Sequence, residues 1–199
     1  MAITGDVGAG KSTVAKMFES LGGFLIDADQ VVDQLWRTPE MIAAAVNRWG
    51  KTVLDESGNV RHKPVAERIF NDRGEYDWLT GLLHPRVMKE IEGRIDTSRW
   101  GIVEIPLLFE AGVPAWVTVT VFVTASRETR ACRCRARGWN EAEMARRESF
   151  FLPSEERMRR SNHVIRNDGD LKRLKKSAEE IYAKAICPKT RRAGSEGGL

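Results

Sequence analysis

The sequence lacks the marks of a membrane-spanning, secreted or disulfide-stabilised protein. No apolar run approaches the ~20 residues that a membrane span needs. Only three cysteines are present, and Cys132 and Cys134 are too close in sequence for an ordinary disulfide. The same short pair lacks the second pair of ligands that a zinc site requires. A motif follows Met1 almost directly and leaves no room for a signal peptide, so we expect a cytoplasmic protein.

The composition is that of a folded domain with a local excess of arginine. The chain has 199 residues, 42% hydrophobic and 30% charged, which is long enough for one sizeable core and a small inserted subdomain. The net charge is +4, and the segment from Ser126 to Arg166 holds eleven arginines and six glutamates. Such a segment suits a polyanion. Composition alone leaves nucleic acid and a phosphorylated small molecule both open.

Strand-like and helix-like segments alternate, which predicts an α/β protein with a five-stranded parallel sheet. The expected strands are Ala2–Thr4, Phe24–Asp27, Gly101–Ile105, Val117–Val123 and His163–Arg166. The expected flanking helices are Lys11–Leu21, Ala28–Trp36 and Leu171–Ile186. The intervening stretch from Glu40 to Thr97 is predicted to be a largely helical insertion with a turn at Asp55–Asn59. Residues 187–199, rich in glycine and charge, are predicted to be a disordered tail.

The segment Gly5–Ser12 matches the phosphate-binding pattern G-x-x-x-x-G-K-[ST] in full. It follows a predicted strand and opens an amphipathic helix, so its backbone N–H groups are expected to face a β-phosphate. In such loops the lysine, here Lys11, bridges the β- and γ-phosphates, and the hydroxyl, here Ser12, ligates Mg²⁺. The residues expected to bind ATP are therefore Gly8, Ala9, Gly10, Lys11, Ser12 and Thr13.

A phosphate loop serves ATPases, GTPases, translocases and kinases alike, so the acceptor must be sought elsewhere. The sequence has no Asn-Lys-x-Asp guanine signature and is too short for the usual machinery of a motor. Asp27 and Asp29 close the second predicted strand, at the edge where ligands of an open α/β sheet bind. One carboxylate there can accept a proton from an attacking hydroxyl while the other orients metal-bound water. Either aspartate can instead cap the following helix.

Several motifs, taken together, resemble the dephospho-CoA kinase family. They run in order over residues 1–186: Gly5–Thr13, Ile26-Asp27-Ala28-Asp29, Ile69-Phe70, Leu82-Leu83-His84-Pro85, Ile105-Pro106-Leu107-Leu108-Phe109-Glu110 and Val164-Ile165-x-Asn167-x-Gly169. The resemblance implies a P-loop three-layer α/β/α fold that transfers the ATP γ-phosphate to the 3′-hydroxyl of dephospho-CoA. It also implies a core at residues 1–39 and 98–186, a lid at about 128–152 and a helical acceptor domain at 40–97.

The resemblance also assigns roles at the matched positions. It assigns Asp29 as the general base and Lys11 as a second catalytic residue. The expected ligands of Mg²⁺ are Ser12, Asp27 and Glu104. The residues expected at the acceptor are Asp29, His84, Pro106 and Leu107, and Asn167 is expected at the nucleotide. For His84 a turn-forming role before proline is the alternative.

The arginine-rich segment is predicted to be the lid, because phosphoryl transfer develops negative charge that arginines stabilise away from water. Arg130, Arg133 and Arg137 are spaced to share one helical face, and Arg147 follows on a second helix. We expect Arg133, Arg137 and Arg147 to face phosphates, with Arg137 and Arg147 catalytic; a solvated basic face is the alternative for any one of them. The sequence departs from the family pattern at Phe151, where glutamine is common.

Three functions therefore stand as hypotheses: a dephospho-CoA kinase, a kinase of nucleosides or nucleoside monophosphates, and an ATP-gated module that binds nucleic acid or protein. The first implies ATP and Mg²⁺ as cofactors and dephospho-CoA as the small-molecule partner. It implies no nucleic acid, no membrane, and a monomer or weak homo-oligomer. The six tryptophans share no spacing, so we interpret most of them as packing residues.

Overall fold

A computed structural model describes residues 1–96 and 98–187. The chain divides into two compact units. The first is made of Met1–Ile26 and the described residues from Ile95 to Cys187, and the second is Asp27–Arg94. Residues 188–199, on which most of the expected tail falls, lie outside the described residues.

Five parallel strands form the sheet of the first unit, in the order β2-β3-β1-β4-β5. They are β1 Ala2–Gly5, β2 Phe24–Ile26, β3 Gly101–Glu104, β4 Thr120–Thr124 and β5 His163–Arg166. The α/β class and the five-stranded parallel sheet are thus confirmed. All four residues of β1 are buried because β3 and β4 pair with it on either side.

One strand starts later than expected. The apolar run from Val117 predicted a strand there, but the N–H of Val117 donates to Pro114 O at 2.9 Å and closes a turn. The ladder with β1 consequently begins at Thr120, opposite Ala2.

The helices within the described residues are α1 Lys11–Ser20, α2 Ala28–Trp36, α3 Pro39–Trp49, α4 His62–Ile69, α5 Arg73–Gly93, α6 Arg127–Arg135, α7 Glu141–Glu148, α8 Ser154–Arg160 and α9 Leu171–Ile181, which a π-helical turn continues to Ile186. The three helices with predicted bounds, α1, α2 and α9, fall near their expected positions, whereas α8 was not predicted. None of the described helices combines the length and apolarity that crossing a bilayer would need.

The core of the first unit is built from one face of each flanking helix. Val14, Ala15 and Phe18 of α1 are buried together with Leu174 and Ala178 of α9 in the cluster that includes the central strands. The spacing of three and four residues puts these side chains on one face of each helix. Helix α1 is thereby fixed to the sheet at the point where it leaves the phosphate loop.

The second unit is helical and has its own apolar cluster. Helices α2 and α4 both pack against α5, and the buried cluster includes Trp36, Trp49 and Leu79. The expected acceptor domain began at residue 40, whereas the unit begins at Asp27, because α2 makes its contacts with α5. The two tryptophans agree with the packing role predicted for them.

Candidate active site

The phosphate loop connects β1 to α1 and depends on glycines with left-handed backbone angles. Gly8 has φ +75° and Gly10 has φ +91°. A Cβ on Gly8 would lie 2.8 Å from Arg130 O, and one on Gly10 would lie 2.4 Å from Asn167 Nδ2. Both contacts are too short for a carbon atom, so other side chains are excluded by space as well as by φ.

Lys11 extends over the carbonyl side of this loop. Its Nζ donates to Asp6 O at 3.2 Å and to Gly5 O at 3.4 Å. Burial lowers the pKa of Lys11, Glu104 opposes this shift, and the positive charge of Arg157 reinforces it. The site therefore holds a partly desolvated cation, whose attraction for a phosphate is stronger than that of a cation in water.

Ser12 and Glu104 meet at the first turn of α1. Ser12 Oγ donates to Glu104 Oε2 at 2.9 Å, and Glu104 is the last residue of β3, next to β1 in the sheet. A hydroxyl and a carboxylate are hard oxygen ligands that suit Mg²⁺. Because Mg²⁺ usually keeps several waters and binds one or two carboxylates plus substrate phosphates, this pair fits it. No cluster of three or more His, Cys, Asp or Glu side chains that could hold a metal is found within the described ranges.

Asn167 and Arg133 support the middle of the loop from β5 and α6. Asn167 is buried, and its Nδ2 donates to Ala9 O at 2.8 Å. Arg133 Nη1 donates to the same oxygen at 3.2 Å, and its Nη2 donates to Asn167 O at 2.9 Å. In this structure the Arg133 guanidinium, which was expected to face phosphate, thus binds the backbone of the loop.

Asp27 and Asp29 belong to the second unit. Asp27 is the N-cap of α2, and its Oδ1 accepts from the backbone N–H groups of Asp29 and Gln30 at 3.0 and 3.1 Å. The capping alternative for Asp27 is therefore realised, a contact typically worth about 1 kcal/mol. Asp29 lies in the first turn of α2 and is exposed. The metal role of Asp27 and the base role of Asp29 remain predictions.

Arg137 lies just after the end of α6. Helix α6 ends at Arg135, and the chain closes around Gly138, which has φ +79°. Trp139 N donates to Cys134 O at 3.0 Å and Gly138 N to Arg135 O at 2.9 Å, the pattern of a glycine-terminated helix. That Arg130, Arg133 and Arg137 share one helical face stays a prediction. The Arg137 charge still acts on Lys11, since it helps to lower the pKa of that lysine.

Arg147 lies on α7, the second helix of the arginine-rich segment, and is held by its neighbours. Its Nε donates to Glu143 Oε1 at 2.8 Å, and its guanidinium lies 4.0 Å from the centre of the Trp139 ring. Burial is the main cause that lowers the pKa of Arg147, with a smaller effect of Arg146. Its contact with phosphate remains a prediction.

The predicted acceptor residues lie in both units. His84 and Pro85 lie inside α5, so the alternative that this pair forms a turn is wrong. Burial lowers the pKa of His84. Pro106 and Leu107 begin the loop after β3, where Thr4 Oγ1 donates to Pro106 O at 3.2 Å. Their contacts with an acceptor remain predictions.

Comparison with known proteins identifies the family. The sequence model of the dephospho-CoA kinase family matches residues 1–173. The chain belongs to the dephospho-CoA kinase family.

Similar proteins span nearly the whole length of this dephospho-CoA kinase family member. A dephospho-CoA kinase of Aquifex aeolicus is 32% identical over 186 residues, covering 92% of this chain and 95% of that protein. One of Shewanella oneidensis is 30% identical over 193 residues, covering 94% and 93%. The crystal structure of TT1252 from Thermus thermophilus, 30% identical, superposes with a TM-score of 0.73 over 92% of this chain and 95% of that one. The dephospho-CoA kinase of Campylobacter jejuni, 20% identical, shares the fold with a TM-score of 0.64, over 92% and 94% of the two chains.

Sequence reasoning missed the pair Asp6 and Arg157. Their side chains are 4% and 3% exposed, and Arg157 Nη2 lies 2.9 Å from Asp6 Oδ1. Asp6 occupies a variable position of the loop pattern, and Arg157 is one of many arginines in a basic segment. Neither the loop position of Asp6 nor the basic segment around Arg157 distinguishes a buried ion pair from two solvated side chains.

Phe151, a departure from the dephospho-CoA kinase pattern, also contacts this pair. The Arg157 guanidinium lies 5.2 Å from the centre of its ring. Leu152 N donates to Glu110 Oε1 at 2.9 Å, so Glu110 anchors the backbone beside Phe151.

Proposed function

We propose that this chain transfers the γ-phosphate of ATP to the 3′-hydroxyl of dephospho-CoA, in the last step of coenzyme A synthesis. The observation that carries the proposal is the family match over residues 1–173, which covers both the phosphate loop and the helical unit. The loop geometry supports the ATP half of the reaction. The ordered motifs of the helical unit support the acceptor half.

The phosphate loop is assigned the binding of the ATP phosphates. Its N–H groups and Lys11 bind the β- and γ-phosphates, and Asn167 and Arg133 hold the loop in shape. Ser12 and Glu104 are assigned to Mg²⁺, with Asp27 as a further ligand. When bound, Mg²⁺ would neutralise negative charge on the ATP phosphates.

Asp29 is assigned the general base that accepts the proton of the acceptor hydroxyl. Arg137 and Arg147 are assigned the role of stabilising the charge that develops on the transferred phosphoryl group. His84, Pro106 and Leu107 are assigned to the acceptor. These are the roles that the family resemblance gives to the matched positions.

The acceptor assignment is tested by ADP release from purified protein with ATP and Mg²⁺. Dephospho-CoA, adenosine and AMP are compared as acceptors at equal concentration. We expect dephospho-CoA to give the highest specificity constant by orders of magnitude. ADP release that dephospho-CoA does not stimulate over ATP alone would contradict the proposal. A higher specificity constant for AMP or adenosine would instead indicate a nucleotide or nucleoside kinase.

The base is tested with Asp29→Asn. We expect turnover to fall by about 10²–10⁴ while ATP binding, measured by calorimetry, is kept, because only proton acceptance is lost. The matched control is Asp77→Asn, an exposed aspartate of the same unit that pairs with Arg73 at 3.0 Å. An equal loss of ATP affinity in Asp29→Asn would assign Asp29 to the metal site instead.

We further infer a cytoplasmic enzyme that works as a monomer or weak homo-oligomer, with ATP, Mg²⁺ and dephospho-CoA as its partners and no nucleic-acid or membrane partner. Light scattering across a concentration series tests the oligomeric state. A stable higher oligomer at low micromolar concentration would contradict it.

A further inference from the structure

Asp6 is a buried junction between the phosphate loop and the segment that follows the lid. Its Oδ2 accepts from Thr124 Oγ1 at 2.6 Å and from Ser154 Oγ at 3.0 Å, and its Oδ1 accepts from Arg157 Nη2 at 2.9 Å. The three donors come from the end of β4 and from α8. The carboxylate therefore has the partners that a buried charge needs, from elements far apart in sequence.

The backbone of Asp6 links this junction to the catalytic lysine. Asp6 O accepts from Lys11 Nζ at 3.2 Å and from Ala9 N at 3.2 Å. Arg157 Nη1 donates to Gly5 O at 3.4 Å, the same oxygen that accepts from Lys11 Nζ. Of the two carbonyl groups that Lys11 Nζ contacts, one therefore belongs to Asp6 and the other also accepts from Arg157.

The other side of Arg157 contacts the end of the lid region. Its guanidinium lies 5.1 Å from the centre of the Phe122 ring on β4 and 5.2 Å from that of Phe151. Phe151 precedes Leu152, which Glu110 anchors through its backbone N–H. Arg157 is thus packed between the central sheet, the phosphate loop and the last residues of the expected lid.

We propose that Asp6 and Arg157 are positioning residues, which hold the phosphate loop in its ATP-binding shape and tie it to the segment at residues 151–154. A buried ion pair by itself contributes little net stability, because desolvation offsets the attraction. What this pair supplies is fixed geometry at a site where a displacement of about 1 Å costs much of the rate. The proposal rests on ATP binding by the loop and not on the identity of the acceptor.

The test separates positioning from stability with a double variant. Asp6→Asn and Arg157→Gln each leave one buried charge without its partner, so each should lower the melting temperature and weaken ATP binding. The double variant Asp6→Asn/Arg157→Gln has no unpaired charge and should melt close to the unchanged protein. Its ATP dissociation constant should stay about 10- to 100-fold higher, since glutamine lacks the fork that reaches Gly5 and Asp6 together.

The matched control is Glu156→Gln, which removes an exposed ion pair with Arg160 on the same helix and should leave ATP binding unchanged. ATP dissociation constants are measured by calorimetry without an acceptor, so the outcome is independent of the acceptor assay. A folded double variant that binds ATP as tightly as the unchanged protein would overturn the proposal. If the double variant fails to fold, Arg157→Lys replaces it and should raise the ATP dissociation constant several-fold. Unchanged ATP binding in Arg157→Lys would again overturn the proposal.

Discussion

The replacement Gly10→Ala tests how the phosphate loop is held. Gly10 is the N-cap of α1 and has φ +91°. A Cβ at this position would lie 2.4 Å from Asn167 Nδ2, the atom that donates to Ala9 O at 2.8 Å. Alanine must therefore adopt a left-handed conformation and also push the Asn167 amide away from the loop.

The cost of this replacement has two parts. A left-handed conformation costs a residue with a Cβ about 1–2 kcal/mol. Loss of the hydrogen bond between Asn167 and Ala9, both buried, costs about 1–3 kcal/mol more. Together they amount to about 2–5 kcal/mol against the phosphate-binding shape of the loop. At 1.4 kcal/mol for each factor of ten, we expect ATP affinity to fall about 30-fold or more.

Gly22→Ala is the matched control. Gly22 has φ +93°, nearly the same as Gly10, but a Cβ there would meet no atom within 4 Å. It should lower the melting temperature through backbone strain alone and leave the ATP dissociation constant unchanged. Calorimetric titration of both variants with ATP decides the matter. Equal ATP affinity in the two variants would refute the reasoning, because Gly10 lies in the phosphate loop against Asn167 whereas Gly22 lies outside the loop.

Three further predictions follow from other contacts. Glu104→Gln should raise the Mg²⁺ concentration for half-maximal rate about tenfold, and an unchanged Mg²⁺ dependence would remove Glu104 from the metal site. Because burial lowers the pKa of Lys11, ATP affinity should fall as the pH rises through a range below that of ordinary lysines. Lys11→Arg should move that fall to higher pH. Glu75 accepts from Arg48 at 3.0 Å and from the Trp49 indole at 2.7 Å, so Glu75→Gln should lower the melting temperature by about 2–4 °C, whereas Asp77→Asn should change it by less than about 1 °C.

Local patterns in the sequence predicted most of the sheet and its helices. The bounds of α2 and β5 follow from an N-cap aspartate and from a short β-rich run, both of which act within a few residues. The start of β4 was missed because an apolar run does not reveal that Val117 N bonds Pro114 O. The end of α6 follows from Gly138, whose φ of +79° closes the helix.

The candidate site also contains residues that the sequence predicts and residues that it does not. The loop, with Lys11 and Ser12, could be predicted because the phosphate chemistry requires these residue types at fixed spacing. The Asp6–Arg157 pair could not, because it joins residues 151 positions apart and depends on how α8 packs on the sheet. Glu104 lies between these cases: its strand was predictable, but its 2.9 Å contact with Ser12 is a product of strand order.

The measurement that tests the central claim most directly is the structure of the reaction product. Purified protein is incubated with ATP, Mg²⁺ and dephospho-CoA, and phosphorus NMR locates the new phosphate. The account predicts a phosphomonoester on the ribose 3′-oxygen of the acceptor, formed in step with ADP. A phosphate at another position, or ADP released without any phosphorylated acceptor, would contradict it.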